Sequence, residues 1–390
     1  AFGGVVEEEG IAEDNSSLPP EKGGQDAQPT RDNSYSFEDE DLSFFSFEDT
    51  QAAQQESASP ITPQIIDTPA KLMELVTQLQ TFTHPDKPVA WDTETSDLEP
   101  RDAELVGIGC CWGTDPSDIA YIPIHHQAGA NLEKATVLEA LRPILENEKY
   151  PKALQNAKFD RLVLRCQGIK LAGVVLDTML ASYVLNPEDS SNLNDLSQRY
   201  LGLSISSYGD VVPKGKTIAD VSIPKIADYC GMQVYVTFQL VQKLREKLDE
   251  IPDLHRLLLE VEQPLEPVLA EMEYVGIRID AAYLKELSQQ LEKKLGEIEE
   301  RAYEAAGGKF NLGSPKQLSQ LLFEKLQLNP KKSRKIQTGY STDAATLEKL
   351  QGDHPVVDEI LEYRTLSKLK STYVDALPAL IRPDTQRVHT

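Results

Sequence analysis

The stretch Val89-Ala90-Trp91-Asp92-Thr93-Glu94-Thr95 leads from apolar residues into a pair of acids two positions apart. On a β-strand successive side chains alternate between faces, so Asp92 and Glu94 lie on the same face. Two neighbouring carboxylates repel each other, and burying them unpaired costs free energy. A divalent cation that prefers oxygen ligands, Mg²⁺ or Mn²⁺, relieves that repulsion. Alone, an Asp-x-Glu pair more often marks a solvated turn, so the rest of the chain has to distinguish the two interpretations.

Length and composition set broad limits. The chain has 390 residues, of which 40% are hydrophobic, enough for two or three domains with real cores. It contains no run of 18 apolar residues and no signal-peptide pattern at its start, so we predict neither a membrane span nor secretion. The spacing of its four cysteines is typical of neither a zinc site nor a disulfide framework, which indicates buried reduced thiols in an intracellular protein.

The negative charge is unevenly distributed. The net charge is −24 at pH 7, but residues 1–60 hold fifteen acids and two bases, more than half of that excess. Phosphate contacts depend on local basic patches rather than on net charge. The acidic balance therefore argues only mildly against a nucleic-acid ligand.

Sequence patterns divide the chain into three parts. Residues 1–62 are rich in Glu, Asp, Ser, Gln, Gly and Pro without periodicity, and predict an acidic disordered linker. Residues 63–250 begin with a short strand at 65–66 and a helix capped by Thr68. An antiparallel meander of three strands, 88–93, 105–112 and 119–124, follows, and strands then alternate with helices, which predicts an α/β domain. Residues 251–390 show long helical periodicities and predict a mainly α-helical domain.

Two further motifs belong to the candidate site. Asn156-Ala157-Lys158-Phe159-Asp160 lies at a predicted strand-to-helix junction, which allows Asp160 to face a cleft. Tyr229 and Gln233 are four residues apart on a predicted helix and therefore share a face.

These motifs, in this order, resemble the signature of 3′→5′ proofreading exonucleases. The segments VAWDTETSDLEP, NAKFDRLVL, LDTMLASYVLNPE and YCGMQVYVTFQL are similar to the exonuclease domain of family A DNA polymerases of the bacterial DNA polymerase I type. In the second half, EVEQPLEPVLAEMEYVGIRID, FNLGSPKQLSQLLFEKL, TGYSTDAATLEKL and EYRTLSKLKSTYVDALPALI resemble the thumb of the same family. The resemblance covers residues 63–390.

The resemblance implies an RNase H-like exonuclease domain over 63–250, with two-metal hydrolysis of phosphodiesters, followed by the thumb and the start of the palm over 251–390. In the implied site, Asp92 bridges two Mg²⁺ or Mn²⁺ ions, Glu94 holds the first and Asp160 the second. Tyr229 orients the attacking water. Asn156 and Phe159 help to place the 3′-terminal nucleotides. Core packing is the alternative for Tyr229 and an equally good interpretation of Phe159.

The chain departs from the family pattern at one metal ligand. The fourth acid of the family falls at position 233, where this chain has Gln. A neutral amide binds hard cations less well than a carboxylate does. We therefore expect proofreading to be weakened or lost while some metal affinity remains.

A second departure concerns the extent of the chain. The palm aspartates and the fingers helix of the family have no counterpart in these residues, so we expect the chain as given not to polymerise, and only the intact protein to bind deoxynucleotides. We expect an internal fragment that follows a 5′-nuclease domain.

Basic residues of the thumb-like half form the expected duplex-DNA contacts. They are Lys316, Lys331, Lys332, Arg334, Lys335, Arg364, Lys368 and Lys370. For any one of them, a solvated helix surface remains the alternative. The expected partners are a DNA primer-template and single-stranded 3′ ends, bound by a monomer in a bacterial cytoplasm or in an organelle of bacterial origin.

Three functional hypotheses follow. The first is a DNA polymerase I-type polymerase of replication and repair that carries a proofreading exonuclease. The second is a catalytically lapsed exonuclease fold kept as a structural or DNA-binding module, which Gln233 favours. The third is a stand-alone 3′→5′ exonuclease, against which the thumb-like half argues.

Overall fold

The computed structural model describes residues 61–337 and 339–389. The predicted acidic linker, apart from its last two residues, lies outside the described residues. Within them, strands and helices alternate up to residue 249, and helices dominate afterwards.

A six-stranded mixed sheet forms the centre of the first half. Its strands are β1 (Gln64–Ile65), β2 (Val89–Thr95), β3 (Leu105–Cys111), β4 (Ile119–Pro123), β5 (Lys152–Leu154) and β6 (Val174–Asp177). They lie in the order β1-β4-β3-β2-β5-β6. The pairs β2–β3 and β3–β4 are antiparallel, which confirms the predicted meander, whereas β1, β5 and β6 join in parallel. The sequence pattern around Val174–Asp177 did not predict β6.

Helices cover both faces of this sheet. They are α1 (Pro69–Leu79), α2 (Lys134–Leu145), α3 (Ala157–Cys166), α4 (Thr178–Leu185), α5 (Leu193–Leu201), the short α6 (Tyr208–Val211) and α7 (Ile223–Asp249). The longest, α7, has Pro at its start and carries buried residues along one face from Ile223 to Leu248. That face packs on β2, β3 and β4, which brings α7 against the strand with the acidic pair.

The second half is built from helices with one short hairpin. The helices are α8 (Pro252–Leu257), α9 (Gln263–Val275), α10 (Ala281–Ala306), α11 (Pro315–Ser319), α12 (Ala344–Leu350), α13 (Pro355–Lys368) and α14 (Ala376–Ala379). The hairpin pairs β7 (Lys335–Ile336) with β8 (Gly339–Tyr340). The long helices α10 and α13 pack together over a separate apolar core. In the described part of the chain, no helix combines the length and apolarity that crossing a bilayer requires.

Helix α9 joins the two halves by packing along α3. Arg161 of α3 forms an ion pair with Glu266 of α9 at 2.7 Å, and Lys158 pairs with Glu273. The buried face of α3 holds Asp160. One helix therefore carries a predicted site acid on its inner face and contacts the second half with its outer face.

Candidate active site

The predicted acidic pair lies at the centre of the sheet. Asp92 and Glu94 of β2 are paired in register with Gly109 and Gly107 of β3. A side chain on either glycine would collide with a neighbour, because a Cβ at Gly109 would lie 2.4 Å from Cys230 Sγ and one at Gly107 would lie 2.1 Å from the Tyr121 hydroxyl. The two glycines therefore let the thiol and the phenol approach the strand beside the acids.

Asp160 reaches the same strand from α3. Its Oδ1 accepts hydrogen bonds from the Thr93 backbone N–H at 2.8 Å and from the Thr93 hydroxyl at 2.7 Å. Thr93 stands between the two acids of β2 and faces the opposite side. Both donors bind the same oxygen of Asp160 and fix this carboxylate. No described residue donates a hydrogen bond to its Oδ2, so that oxygen can bind a ligand without losing a partner among them.

Helix α7 supplies the other side of the site. The Cys230 thiol donates to Asp92 Oδ2 at 3.6 Å, and the Gln233 amide donates to Glu94 Oε1 at 3.3 Å. Among the residues described, Asp92, Glu94 and Cys230 form the cluster whose potential metal-binding atoms all lie within 4.8 Å of one another. Asp160 is not part of that compact cluster. The structure thus brings Gln233 to the acidic pair, as predicted, and adds a thiol that the sequence analysis did not assign to the site.

The site concentrates negative charge that lacks a basic partner. Burial and the charge of Glu94 raise the pKa of Asp92, and burial raises the pKa of Glu94 to about 8. Burial and Asp92 likewise raise the pKa of Asp160. Within residues 61–337 and 339–389, no Lys, Arg or His forms an ion pair with these three carboxylates. A bound divalent cation would remove the repulsion, so the donor set fits a hard-cation site.

Tyr229 lies beside the acids and keeps its proton. Burial and the charges of Glu94 and Asp92 raise the pKa of its phenol. A neutral phenol can donate a hydrogen bond, which is the property that orienting a water molecule requires. Tyr208 of α6 is a further phenol whose pKa is raised by burial and by Glu94, so it too lies near the acids, and the sequence analysis did not single it out.

Asn156 and Phe159 lie at the start of α3 and are both half-buried. Asn156 adopts a left-handed backbone conformation, with a φ of 60°, that Asn tolerates better than most residues. The buried carboxylate of Asp177 holds this turn by accepting the N–H groups of Asn156 at 3.1 Å and Ala157 at 2.8 Å. Phe159 packs against the apolar core of the first half, which agrees with the packing interpretation of this residue.

The eight predicted DNA-binding bases divide into two groups. Four of them contact other groups of the chain: Lys332 pairs with Asp353 at 2.6 Å, Lys370 with Asp375 at 2.8 Å and Arg334 with Asp343 at 3.7 Å, while Arg364 donates to Thr342. The other four, Lys316, Lys331, Lys335 and Lys368, are exposed, and no ion pair is formed by them in the described part of the chain. Of these eight residues, only the four exposed lysines can bind phosphates without first breaking a contact with another described group of the chain.

Sequence reasoning missed Cys230, Thr93 and Asp177. A usable signal existed for one of them: the alternation Gly107-Ile108-Gly109 within an apolar strand indicates a close approach by another element on the glycine face. It does not reveal which element approaches. Thr93 and Asp177 act through contacts between segments that are distant in the sequence.

Two family models match the chain. The family described as 3′-5′ exonuclease matches residues 63–249, and DNA polymerase family A matches residues 281–390. Together they include Asp92, Glu94, Asp160 and Tyr229 in the first match and the exposed lysines in the second.

Curated relatives and a solved structure agree with these matches. The chain is 59% identical over 332 residues, 85% of its length, to the DNA polymerase I of Synechocystis sp., and 39% identical over 312 residues to that of Pseudomonas aeruginosa. In each case it spans 34% of the relative, about a third of its length. The POL domain of Pol1 from M. smegmatis, solved in complex with DNA primer-template and dNTP, matches with a TM-score of 0.64 and 30% identity, over 81% of this chain and 50% of that one.

Proposed function

Because the chain belongs to the bacterial DNA polymerase I family, we propose that it is the exonuclease and thumb portion of a DNA-directed DNA polymerase of replication and repair. Residues 63–250 form an RNase H-like 3′→5′ exonuclease domain, and 251–390 form the thumb and the start of the palm. The observation that carries the proposal is the acidic pair on β2. It lies beside two glycines of the neighbouring strand β3, close to α7, and it has no basic partner among the described residues.

The residues fit a two-metal hydrolysis. Asp92 and Glu94 would hold one divalent cation, and Asp92 with Asp160 would hold a second. Such ions would supply an activated water and charge stabilisation for the leaving 3′ oxygen. Asp160 is pre-positioned by the two Thr93 donors, which leave its Oδ2 available. Tyr229, protonated, donates a hydrogen bond that orients the attacking water. Asn156 and Phe159, at the start of α3, place the 3′-terminal nucleotides.

Gln233 weakens this activity. Its amide N–H is already turned to Glu94, 3.3 Å away, and contributes no negative charge to the site. A carboxylate at this position would add a hard, charged ligand. The same observation supports the second candidate function, a catalytically lapsed exonuclease fold that serves as a structural or DNA-binding module.

The partners of the proposed function follow from the same sites. Single-stranded 3′ ends enter the exonuclease site, and the exposed lysines of the second half bind the phosphates of a primer-template duplex without reading its sequence. We place the intact protein in the bacterial cytoplasm as a monomer, and assign deoxynucleotide binding to that intact protein.

The test is Mg²⁺- and Mn²⁺-dependent digestion of DNA with a 3′ overhang by the native chain and by Gln233→Asp and Asp92→Ala variants. We expect slow digestion by the native chain, faster digestion by Gln233→Asp and none by Asp92→Ala. Removing one group that stabilises the transition state typically lowers the rate by about 10²-fold or more, so the loss expected for Asp92→Ala is readily detected.

Each other outcome has a defined meaning. Digestion by Gln233→Asp alone identifies the native domain as lapsed, with its remaining ligands still in place. Equal digestion by the native chain and Gln233→Asp contradicts the weakening. Undiminished digestion by Asp92→Ala contradicts the assignment of the active site.

A further inference from the structure

The cation site proposed above contains a donor that a purely oxygen-based site lacks. Cys230 is fully buried at the edge of an apolar cluster, and its sulfur lies 3.6 Å from Asp92 Oδ2 of the acidic pair. Gly109 is paired with Asp92 on the adjacent strand β3, and because it has no side chain it leaves the space that this sulfur occupies. A thiol buried beside two carboxylates calls for an explanation. A small apolar side chain would fill the same volume and would add no ionisable group next to the acids.

The distances match those of a cation with mixed oxygen and sulfur ligands. Zinc–sulfur and zinc–oxygen bonds of about 2.3 and 2.0 Å, at a tetrahedral angle, place the two ligand atoms about 3.5 Å apart. Cys230 Sγ and Asp92 Oδ2 are 3.6 Å apart. The ligand atoms of Asp92, Glu94 and Cys230 all lie within 4.8 Å of one another, so one ion can contact all three after small rotations of the side chains.

The charge balance points the same way. Glu94 is 5% exposed and Cys230 is fully buried, and no basic side chain of the described residues compensates the acids. Position 233 contributes a neutral amide, while Cys230, three residues earlier on the same helix, can contribute a thiolate. The thiolate supplies the anionic ligand from α7 that Gln233 does not.

We propose that Cys230 is the third ligand of the cation held by Asp92 and Glu94, so that this site selects a thiophilic divalent cation, of which Zn²⁺ is the physiological example, over Mg²⁺. Binding displaces the thiol proton to solvent and forms a bond between the metal and sulfur, and no oxidant or reductant is needed. Three protein ligands leave a fourth position for water or for the Gln233 amide oxygen, the arrangement of a zinc site that keeps an open coordination position. The inference rests on the proposed function only for the assignment of Asp92 and Glu94 as metal ligands.

The probe is Cd²⁺, titrated into the metal-free full chain while the ultraviolet charge-transfer absorption of a cadmium–thiolate bond is recorded as a difference spectrum. The variants are Cys230→Ser and Cys230→Ala, and the matched control is Cys166→Ala, which removes a partly exposed thiol on α3 outside the acidic cluster. Competition with Zn²⁺ and Mg²⁺ in the same titration reports the selectivity.

We expect one equivalent of Cd²⁺ to produce the band in the native chain and in Cys166→Ala, and no band in either Cys230 variant. Affinity for Zn²⁺ falls at least about tenfold on replacing Cys230, while affinity for Mg²⁺ changes little. A native circular dichroism spectrum shows that each variant is folded. If Cys230→Ala does not fold, the test rests on Cys230→Ser, which changes the side chain less.

The inference is overturned if the band is missing in the native chain or persists in the Cys230 variants. Failure of the proposed function has a different signature. A cadmium band that depends on Cys230, with no digestion of DNA by the native chain or by Gln233→Asp, keeps the sulfur ligand and removes the exonuclease. Digestion of DNA with Mg²⁺ but without a cadmium–sulfur band supports the exonuclease and contradicts the sulfur ligand.

Discussion

At the scale of single residues, the site depends on two glycines, Gly107 and Gly109, as much as on its acids. Gly107 and Gly109 are the partners of Glu94 and Asp92 across the β2–β3 pair. Because neither has a Cβ, Tyr121 and Cys230 approach the strand to distances that an alanine would forbid. The acids are therefore enclosed by a phenol and a thiol, and burial is the main reason that their pKa values rise.

Replacing Gly109 by alanine tests this close approach. The added Cβ would lie 2.4 Å from Cys230 Sγ and 3.3 Å from Val234, and it would push α7 away from the sheet. We expect the free energy of unfolding to fall by about 1–3 kcal/mol, the usual cost of overpacking. Gly296→Ala is the control, since nothing lies within 4 Å of that Cβ on α10, and helix propensity predicts a gain of about 0.5–1 kcal/mol. Urea unfolding measures both; equal effects of the two variants would contradict the packing argument.

Lys152 gives a pH prediction at the same scale. Its side chain is fully buried, and burial lowers the pKa of its ammonium group to about 7, while the amine donates to the Tyr150 carbonyl at 2.6 Å. Between pH 7 and the unfolded value of 10.5, the unfolded chain holds a proton that the folded chain has released. Stability from this group therefore rises with pH in that window, by up to about 1.4 kcal/mol per pH unit.

Lys152→Met removes this dependence. Urea unfolding of both proteins at several pH values between 7 and 9 should show the native chain gaining stability relative to the variant as the pH rises. Comparing the two chains cancels the contribution of the site carboxylates, which titrate in both. A difference in free energy that stays constant with pH would contradict the lowered pKa of Lys152.

At the scale of elements, α3 links the site to the second half. Its inner face carries Asp160, and its outer face pairs with α9 through Arg161 and Glu266, whose side chains are only 14% and 3% exposed. Both N–H groups of the Arg161 fork reach the carboxylate, at 2.7 Å each. Removing one partner would leave the other charged and buried, which costs more than losing the pair as a whole.

Glu266→Gln and Arg161→Met are expected to destabilise the fold by about 3–5 kcal/mol each, and the double variant by clearly less than the sum. Glu271→Gln is the matched control on the same helix: its carboxylate is 56% exposed and pairs with Arg165 at 3.4 Å, so its loss should cost less than about 1 kcal/mol. Thermal unfolding ranks the variants. Additive effects of the two single changes would show that the pair does not act as a unit.

The helices and strands were predictable to the extent that their patterns are local. The apolar segments and the short polar turns between them predict β2 to β4, and the apolar face of α7 predicts a long helix. The four-residue β6 was missed because Val174–Asp177 runs directly into α4, and only its parallel pairing with β5 defines it as a strand. Asp177 was missed for the same reason, since its partners are about twenty residues away in the sequence.

At the scale of the whole molecule, the basic surface of the second half is smaller than its sequence indicates. Lys332, Arg334 and Lys370 are paired with acids, and Arg364 is half-buried against Thr342, with burial lowering the pKa of its guanidinium. The exposed lysines remain available for phosphates. In a chain of net charge −24, acids lie close to many basic side chains, and ion pairs with them neutralise part of the positive charge.

DNA binding by the full chain should follow this division. Replacing both Lys331 and Lys335 by Gln should weaken binding to duplexes of any sequence and lower the slope of log affinity against log salt by about 1 per lost contact. Lys332→Gln is the control, because that amine is already paired with Asp353 at 2.6 Å. Fluorescence anisotropy across a salt series measures the slopes. An equal change in the control would contradict the division into paired and free bases.

The sequence by itself determined the order of the motifs, the acidic pair on one face of a strand, the helix that carries Tyr229 and Gln233, and the family resemblance. All of these depend on residues close together in the chain or on whole-segment similarity. Only the tertiary structure decided that Cys230 faces Asp92 across 138 positions, that Thr93 holds Asp160, and which lysines are left unpaired. Such contacts join distant segments, and the packing that forms them is set by the collective burial of the core, which no local pattern encodes.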